Sequence, residues 1–412
     1  MGLLRDVYVV GGGISHFGVH PEKSSRELFS DAFLACCESV DKGIDPKKDI
    51  EGLFFGAGMP EVFEKQGHLG PMMADVAGIT PVPTVRTEGA CASGSLAFRM
   101  GVFCVASGAS ETVCVAGAEK MHDLTTAEVT DALAYALDIL LEKSAGLTFP
   151  GIYATMATIY RHKYGIADDD YRGFQEVAIK SHSNGALNDH AQMQITVEGL
   201  MQRAIEKGRG NWGDIYEYLN DTSVNFPVAH PMRLMDCSLV TDGGGACIIT
   251  SNPSKYTDSP IKVLGSGGGS THMCLHQRPE PTIGSAVEAA RQAFKMAKKT
   301  PKDIHLAEVH DCFTIAELVA LEDLGFYERG KAWQATIEGE TRRDGPIPIN
   351  TSGGLKAKGH PIGASGIGQI VEIYEQLLGK SEARQVQGAE VGLTHNVGGS
   401  GGTAVVHILE RV

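Results

Sequence analysis

Two stretches of this chain carry the same succession of features in the same register, and that duplication constrains the fold more than any other property of the sequence. In the first, Val7-Tyr8-Val9-Val10-Gly11 reads as a buried strand. Ser24, with Glu27 three residues on, forms a capping box that opens a helix with Leu28, Ala32, Cys36 and Val40 on one face. Asp45-Pro46-Lys47-Lys48-Asp49-Ile50 then leads to a second strand, Leu53-Phe54-Phe55-Gly56. In the second stretch Ile261-Lys262-Val263-Leu264-Gly265 is again strand then glycine, and Ile283, Val287, Ala290, Phe294 and Ala297 mark one face of a helix. Pro301-Lys302-Asp303-Ile304 leads to a strand from Leu306 to Val309. Gly11 to Asp49 spans 38 positions, and so does Gly265 to Asp303. Further on, Ala92-Ser93-Gly94 opens an apolar helix with Leu96, Met100 and Phe103, and Ala364-Ser365-Gly366 opens another with Ile367, Ile370, Val371 and Tyr374. Each copy closes on a glycine-rich turn feeding a β-rich strand, Gly243-Gly244-Gly245 into Ala246–Ile249 and Gly401-Gly402 into Thr403–Val406.

Alternating strands and helices predict an α/β fold with largely parallel sheets covered on both faces. Two βαβαβαββ halves side by side predict a five-layer α-β-α-β-α core. The first copy is interrupted by a helical, patchily polar insertion expected to cap one face. The predicted division is residues 1–117 with 241–258 for the first half, 118–240 for the cap and 259–412 for the second half. A length of 412 residues suits this plan, since single cores stop growing near about 250–300 residues. Glycine, at 51 residues, exceeds the average of about 7%, and the excess is expected in tight functional turns.

Lys and Arg total 36 against 50 Asp and Glu, a formal charge of −14, which repels nucleic acid and anionic membranes. Nine scattered cysteines without a CxxC pair argue against a disulfide framework or a zinc site and for a reducing compartment. The N-terminus reads directly into a strand rather than a signal peptide, and no apolar run of about 18 residues suggests a membrane span. A cytoplasmic location is expected.

Four motifs carry chemistry. Cys91, in Gly89-Ala90-Cys91-Ala92-Ser93-Gly94-Ser95, sits where a helix begins; there the dipole and free N–H groups lower a thiol pKa and can hold an oxyanion. A free cysteine is usually an inert buried hydrophobe, but small neighbours on both sides keep this one approachable. His360, in Gly359-His360-Pro361-Ile362-Gly363-Ala364-Ser365-Gly366, begins the equivalent helix of the second copy. The symmetry brings the two loops together as a nucleophile with its base. Glu308-Val309-His310-Asp311-Cys312-Phe313 follows a buried strand at its carboxyl end, where open α/β sheets place ligands. Thr394-His395-Asn396-Val397-Gly398-Gly399-Ser400-Gly401-Gly402 is a glycine-dense loop whose amides could line an oxyanion hole. The basic residues of the insertion, Arg161, His162, Lys163, Arg172, Lys180 and Arg203, form no cluster and are expected at the solvated surface.

Together these motifs resemble the thiolase superfamily over essentially the whole chain. The GHPxGxSG motif from Gly359 is the most specific, and HDCF (His310 to Phe313) with HNxG (His395 to Gly398) resembles the sterol-carrier-protein-2-type and archaeal and bacterial thiolases. The resemblance implies an acyl-CoA C-acyltransferase that forms an acyl thioester on Cys91. His360 would activate Cys91, His310 would help form an oxyanion hole, and Cys312 would be the acid and base. Asn396 stands where ordinary thiolases carry a cysteine, and the amides of Cys91 and Gly398 would hold the acyl-enzyme oxyanion. Coenzyme A is implied as substrate, with no bound cofactor and no metal. A homodimer is implied, joined through the strand Thr112 to Ala116 as a sheet edge, possibly with a small zinc-ribbon/OB-fold partner, the only place for zinc. Substrates in such a group range from acetoacetyl-CoA, including supply of hydroxymethylglutaryl-CoA synthesis, to branched or aromatic 3-oxoacyl-CoA such as benzoylsuccinyl-CoA. A condensing enzyme acting on acyl carrier protein, a hydroxymethylglutaryl-CoA synthase using Glu88 as its acid, and a non-catalytic subunit stand as alternatives.

Overall fold

The computed structural model describes residues 2–278 and 280–412. In the first half β1 (Tyr8–Ile14), α1 (Ser25–Glu38), β2 (Leu53–Gly56), α2 (Leu69–Val76), β3 (Thr84–Thr87), α3 (Ser93–Ser107) and β4 (Thr112–Glu119) follow in order. The insertion adds α4 (Thr126–Leu133), α5 (Phe149–Tyr164), α6 (Arg172–Gly185), α7 (Val197–Glu206) and a small hairpin, β5 (Pro227–Ala229) with β6 (Met232–Arg233). The chain then returns as β7 (Gly243–Thr250). The second half runs β8 (Ile261–Ser270), α8 (Gly284–Ala297), β9 (Leu306–Glu308), α9 (Thr314–Asp323), α10 (Ser365–Leu378), β10 (Val391–Gly398) and β11 (Thr403–Arg411).

The strand order is β3-β2-β4-β7-β1 in one half and β8-β11-β10-β9 in the other, the second a reversed copy of the first. Among the described residues the two sheets are joined where Tyr8 and Val9 of β1 pair with Lys262 and Ile261 of β8, with the Val263 amide donating to the Val7 carbonyl beside them. The counterpart of β3 in the second half is reduced to a single parallel bridge, Ala307 to Ile349. Between the sheets lie α3 and α10, whose Phe98, Val102, Ile370 and Val371 pack with Val115 and Ile249 of one sheet and Val263 and Leu409 of the other. α1 covers the outer face of the first sheet through Phe29, Phe33 and Cys36. α8 covers the second through Ala286, Ala289 and Ala293. Five layers result.

Many glycines adopt the positive φ of turns, as expected, but others are spent inside the strands. A Cβ on Gly13 would meet the Cys36 amide nitrogen at 2.4 Å, one on Gly244 the Leu28 carbonyl at 2.4 Å, and one on Gly267 the Ala289 carbonyl at 1.9 Å. Helix backbone therefore rests directly on strand backbone, which only glycine permits. Gly243–Gly245, expected as a turn, lies within β7, where Gly244 lets α1 rest on the strand and Gly243 and Gly245 make room for the Phe17 and Ile367 side chains. This close approach also corrects the face of α8. Its small residues Ser285, Ala286, Ala289 and Ala293 face β8, and Val287 is 39% exposed.

A further expectation changes. The strand Thr112 to Ala116 lies inside the sheet, hydrogen-bonded to β2 and β7 on its two sides, and the edge is β3. Leu96, Met100 and Phe103, the residues by which the sequence marks α3 as an apolar helix, lie on its open flank, and Met100 is 44% exposed. The buried face is built instead from Gly94, Ala97, Phe98, Gly101, Val102 and Val105. The segment Ala90–Ser107 is long and apolar enough to cross a membrane by length and composition, but here it forms a largely buried core helix.

Candidate active site

Ala90–Ala92 form a single 3-10 turn that runs into α3. Ala90 adopts φ +50°, a left-handed conformation that costs energy for a residue with a Cβ; its amide is held by Glu88 Oε1 at 2.6 Å. Glu88 is thus spent on shaping the turn. Gly94 of α3 abuts the Gly363 carbonyl, where a Cβ would come within 2.6 Å, and Gly366 of α10 abuts Ser95, where a Cβ would come within 2.3 Å of Oγ. These contacts dock the Cys91 loop onto the loop carrying His360.

Cys91 stands beside the Gly399 amide, and burial pushes its thiol up to about 12 despite the backbone N–H groups of Gly399 and Cys91 that favour the thiolate. The lowered pKa expected from the helix start is therefore not present: desolvation outweighs the dipole. The amide facing the sulfur is that of Gly399; Gly398, one residue earlier, is packed against the Gly89 carbonyl, where a Cβ would come within 2.1 Å. On another side lies Cys312, also buried, its thiol pushed well above the ordinary range by desolvation and by Cys91. The Tyr153 hydroxyl, brought in by α5 of the insertion, faces Cys312 without closing a well-formed hydrogen bond, and its ring stacks on Phe313 at 4.6 Å.

The two imidazoles are held in opposite senses. Ser365 Oγ donates to the Pro361 carbonyl at 2.8 Å and accepts from His360 Nδ1 at 2.7 Å. The proton of His360 is thereby placed on Nδ1, and the buried, unpartnered Nε2 offers a lone pair. Asn396 Nδ2 donates to His310 Nδ1 at 3.1 Å, which leaves the His310 proton on its unpartnered Nε2. The rings meet edge to face at 5.2 Å. Burial lowers His360 to about 3 and drives His310 well below its usual value, so both are neutral near pH 7. One is poised to accept a proton and the other to donate a hydrogen bond.

Cys91, His310, Cys312, His360 and Asn396 thus converge from three loops and β10. Gly399, Tyr153 and Ser365 were not singled out from the sequence. Ser365 stands in the GHPxGxSG motif but the sequence gives its hydroxyl no role, Tyr153 carries no sequence signal, and Gly399 differs from its neighbours only in geometry. Of the insertion's basic residues, Arg161 and Lys180 are buried, unlike the surface expected for them. Lys180 pairs with Glu317 of α9 inside the fold, where a lone carboxylate would be costly, and Arg161 donates to the Ala167 carbonyl.

Duplicated layers with two thiols and two oppositely set imidazoles at the seam are the arrangement expected of an acyl-transferring enzyme. Residues 7–253 match the "Thiolase, N-terminal domain" family and residues 267–411 the "Thiolase C-terminal domain-like" family. The chain belongs to the thiolase family and is an acyltransferase. It is 43% identical to an "Acetyl-CoA acetyltransferase" of Methanothermobacter thermautotrophicus, covering 99% of this chain and 100% of that protein. It is 28% identical to "Benzoylsuccinyl-CoA thiolase subunit BbsB" of Thauera aromatica, covering 97% and 96%. Among solved structures, "Ltp2-ChsH2(DUF35) aldolase" shares the fold with a TM-score of 0.79 at 23% identity, covering 98% of each chain. Human mitochondrial 3-ketoacyl-CoA thiolase follows at 0.69 and 17%, over the full length of both.

Proposed function

We propose that the protein interconverts a short 3-oxoacyl-CoA plus CoA with two acyl-CoA molecules, acetoacetyl-CoA being the first substrate to test. The observation that carries this reading is the opposed setting of His360 and His310 beside two neutral thiols. The acetyltransferase relatives, at 43% and 38% identity, favour acetyl transfer over the aromatic substrate named for the 28% relative.

In the cleavage direction, His360 Nε2 takes the Cys91 proton as the sulfur attacks the 3-keto carbon. The amides of Cys91 and Gly399 receive the oxyanion. The bond between C2 and C3 breaks, leaving an acyl thioester on Cys91 and an enolate whose oxygen is held by His310 Nε2–H and the newly protonated His360. Cys312, neutral at rest, gives its proton to C2, and acetyl-CoA leaves. Its thiolate then deprotonates the incoming CoA thiol, CoA attacks the acyl carbonyl, and the Cys91 sulfur departs and recovers its proton from His360. The segment 118–240 acts as a cap, contributing Tyr153 beside Cys312. A small partner that helps hold CoA is compatible with the DUF35 complex named for the structural neighbour. The chain works in the cytoplasm as a homodimer, paired through the edge strand β3, whose Val85 is 48% exposed, and the adjoining open flank of α3.

Mass spectrometry of the intact protein after incubation with acetyl-CoA tests the reading: a single acetyl adduct that disappears in Cys91→Ser supports it, and an unmodified Cys91 refutes it. Light scattering of Val85→Lys, expected to run as a monomer, tests the pairing; an unchanged size would place the interface elsewhere.

A further inference from the structure

A buried carboxylate beside the nucleophile takes no part in the chemistry above. Glu119, the last residue of β4, is 1% exposed. Its Oε2 accepts the Gly58 amide at 2.7 Å and its Oε1 the Met59 amide at 3.2 Å, both in the segment leaving β2. It also touches the loop that carries His360, for a Cβ on Gly363 would lie 2.8 Å from Oε2. Among the described residues no cation is bonded to Glu119. The nearby Arg86 is engaged with Glu61 and with the Ala57 and Gly58 carbonyls. Burial pushes its carboxyl up to about 7, and its charge reaches Cys91. Retaining such a group without an ion pair is costly. The two amides it holds are what the position gains.

Those amides fix Met59. Its side chain packs against an apolar cluster of Phe63, Met121, Val129, Ala132 and Ile362, and Cys91 borders the same cluster. The Gly399 amide, Cys312 and the Tyr153 hydroxyl are the polar groups near the same sulfur. The cluster is the apolar surface next to the sulfur that suits an acyl chain, and Met59 packs against it from the loop leaving β2. Methionine fills such space closely but adaptably.

We propose that Met59 is a specificity-determining residue that limits the acyl chain accepted on Cys91 to short, unbranched groups, and that Glu119 is the positioning residue holding it in place through the Gly58 and Met59 amides. The proposal rests on the thiolase reading and narrows its substrate class.

The test measures Cys91 acylation, by intact mass and by initial rate, with acetyl-, butyryl-, hexanoyl- and octanoyl-CoA in the wild type, Met59→Ala, Met59→Leu and Glu119→Gln. The wild type is expected to prefer acetyl-CoA. Met59→Ala should raise kcat/KM for hexanoyl-CoA relative to acetyl-CoA by about tenfold, the scale of a few methylenes in an apolar pocket, and Met59→Leu should restore the wild-type order. Glu119→Gln, whose amide sets an NH2 against one of the two N–H donors, should flatten the chain-length preference by raising KM for acetyl-CoA more than it lowers kcat. A chain-length profile in Met59→Ala that superimposes on the wild type overturns the proposal. A Glu119→Gln protein that melts earlier with its profile intact removes Glu119 from it. If the wild type acquires no adduct from any of the four thioesters, the thiolase reading itself falls.

Discussion

The loops that open α3 and α10 occupy the same place in the two copies, yet one is partly open and the other is sealed. Cys91 sits part-exposed in a turn with Ala90 at φ +50°, while His360 is 7% exposed and fixed at Nδ1 by Ser365. The helices behind them differ in the same sense: α10 is buried along nearly its whole length, whereas α3 leaves Leu96, Met100 and Phe103 on an open flank. Duplication provided two facing helix starts. Divergence left one part-exposed and the other rigidly held, and the open flank of α3 is the surface that the proposed pairing would use.

The comparison breaks most sharply at the nucleophile. Cys91→Ser should abolish acyl transfer and leave the melting temperature nearly unchanged, because an alkoxide is far harder to generate from a group of similar size; a variant that keeps most of its rate would place the nucleophile elsewhere. Cys312→Ala should slow turnover by about 10²–10⁴, the usual effect of losing an acid/base group, while iodoacetamide still alkylates Cys91. Asn396→Ala should cost less, since its amide orients His310 but moves no proton. Full activity in a less stable Cys312→Ala protein would make Cys312 a packing residue.

The docking of the two helix starts can be probed by volume. Gly366→Ala drives a methyl into Ser95, within 2.3 Å of its Oγ and 2.5 Å of its amide nitrogen, and should destabilise by about 1–3 kcal/mol as overpacking does. Gly368→Ala, two residues on with its nearest neighbour a Phe17 ring carbon at 3.3 Å, should cost clearly less in the same thermal melts. Equal losses would mean that the crossing is not tight. The smallest effect expected is that of pH. Burial holds His360 near 3 and Cys91 near 12, so the neutral pair is the resting state over the whole range from about pH 5.5 to about pH 8, on either side of an ordinary histidine. As pH falls through that range His360 keeps its lone pair, and single-turnover acylation in Glu119→Gln, which removes the carboxyl that burial pushes up to about 7, should be flat. A drop centred near the ordinary histidine value would show that His360 is more solvated than its surroundings imply.

The repeat was legible because its carriers, the strand runs, the caps and the glycine positions, are local in sequence. The site motifs were legible because GHPIGASG, HDCF and HNVG keep their chemistry within a few residues. Legibility failed wherever a partner distant in sequence decides the outcome. Val287 looked like core until Ala289 and Ala293 were found against β8 glycines, which leave a larger side chain no room. The strand of Thr112 looked like an edge because its partner, β7, lies beyond the insertion. Lys180 looked like surface because Glu317 is far along the chain. The pKa of Cys91 was misjudged because burial cannot be read from a helix start. Glu119 did leave a trace, an acidic residue closing the apolar run Val113–Ala118, whose meaning emerges only with the amides it faces.

The direct seating of helices on the sheets through Gly13, Gly244, Gly265, Gly267 and Gly269 has a genetic consequence. Every single-nucleotide missense change of a glycine codon adds at least one heavy atom, so no neutral step leads away from these positions. Elsewhere in the chain a gene can drift through Ala, Ser or Val in search of new specificity. At these five positions any exchange must be met by a shift of the helix backbone that rests on the strand.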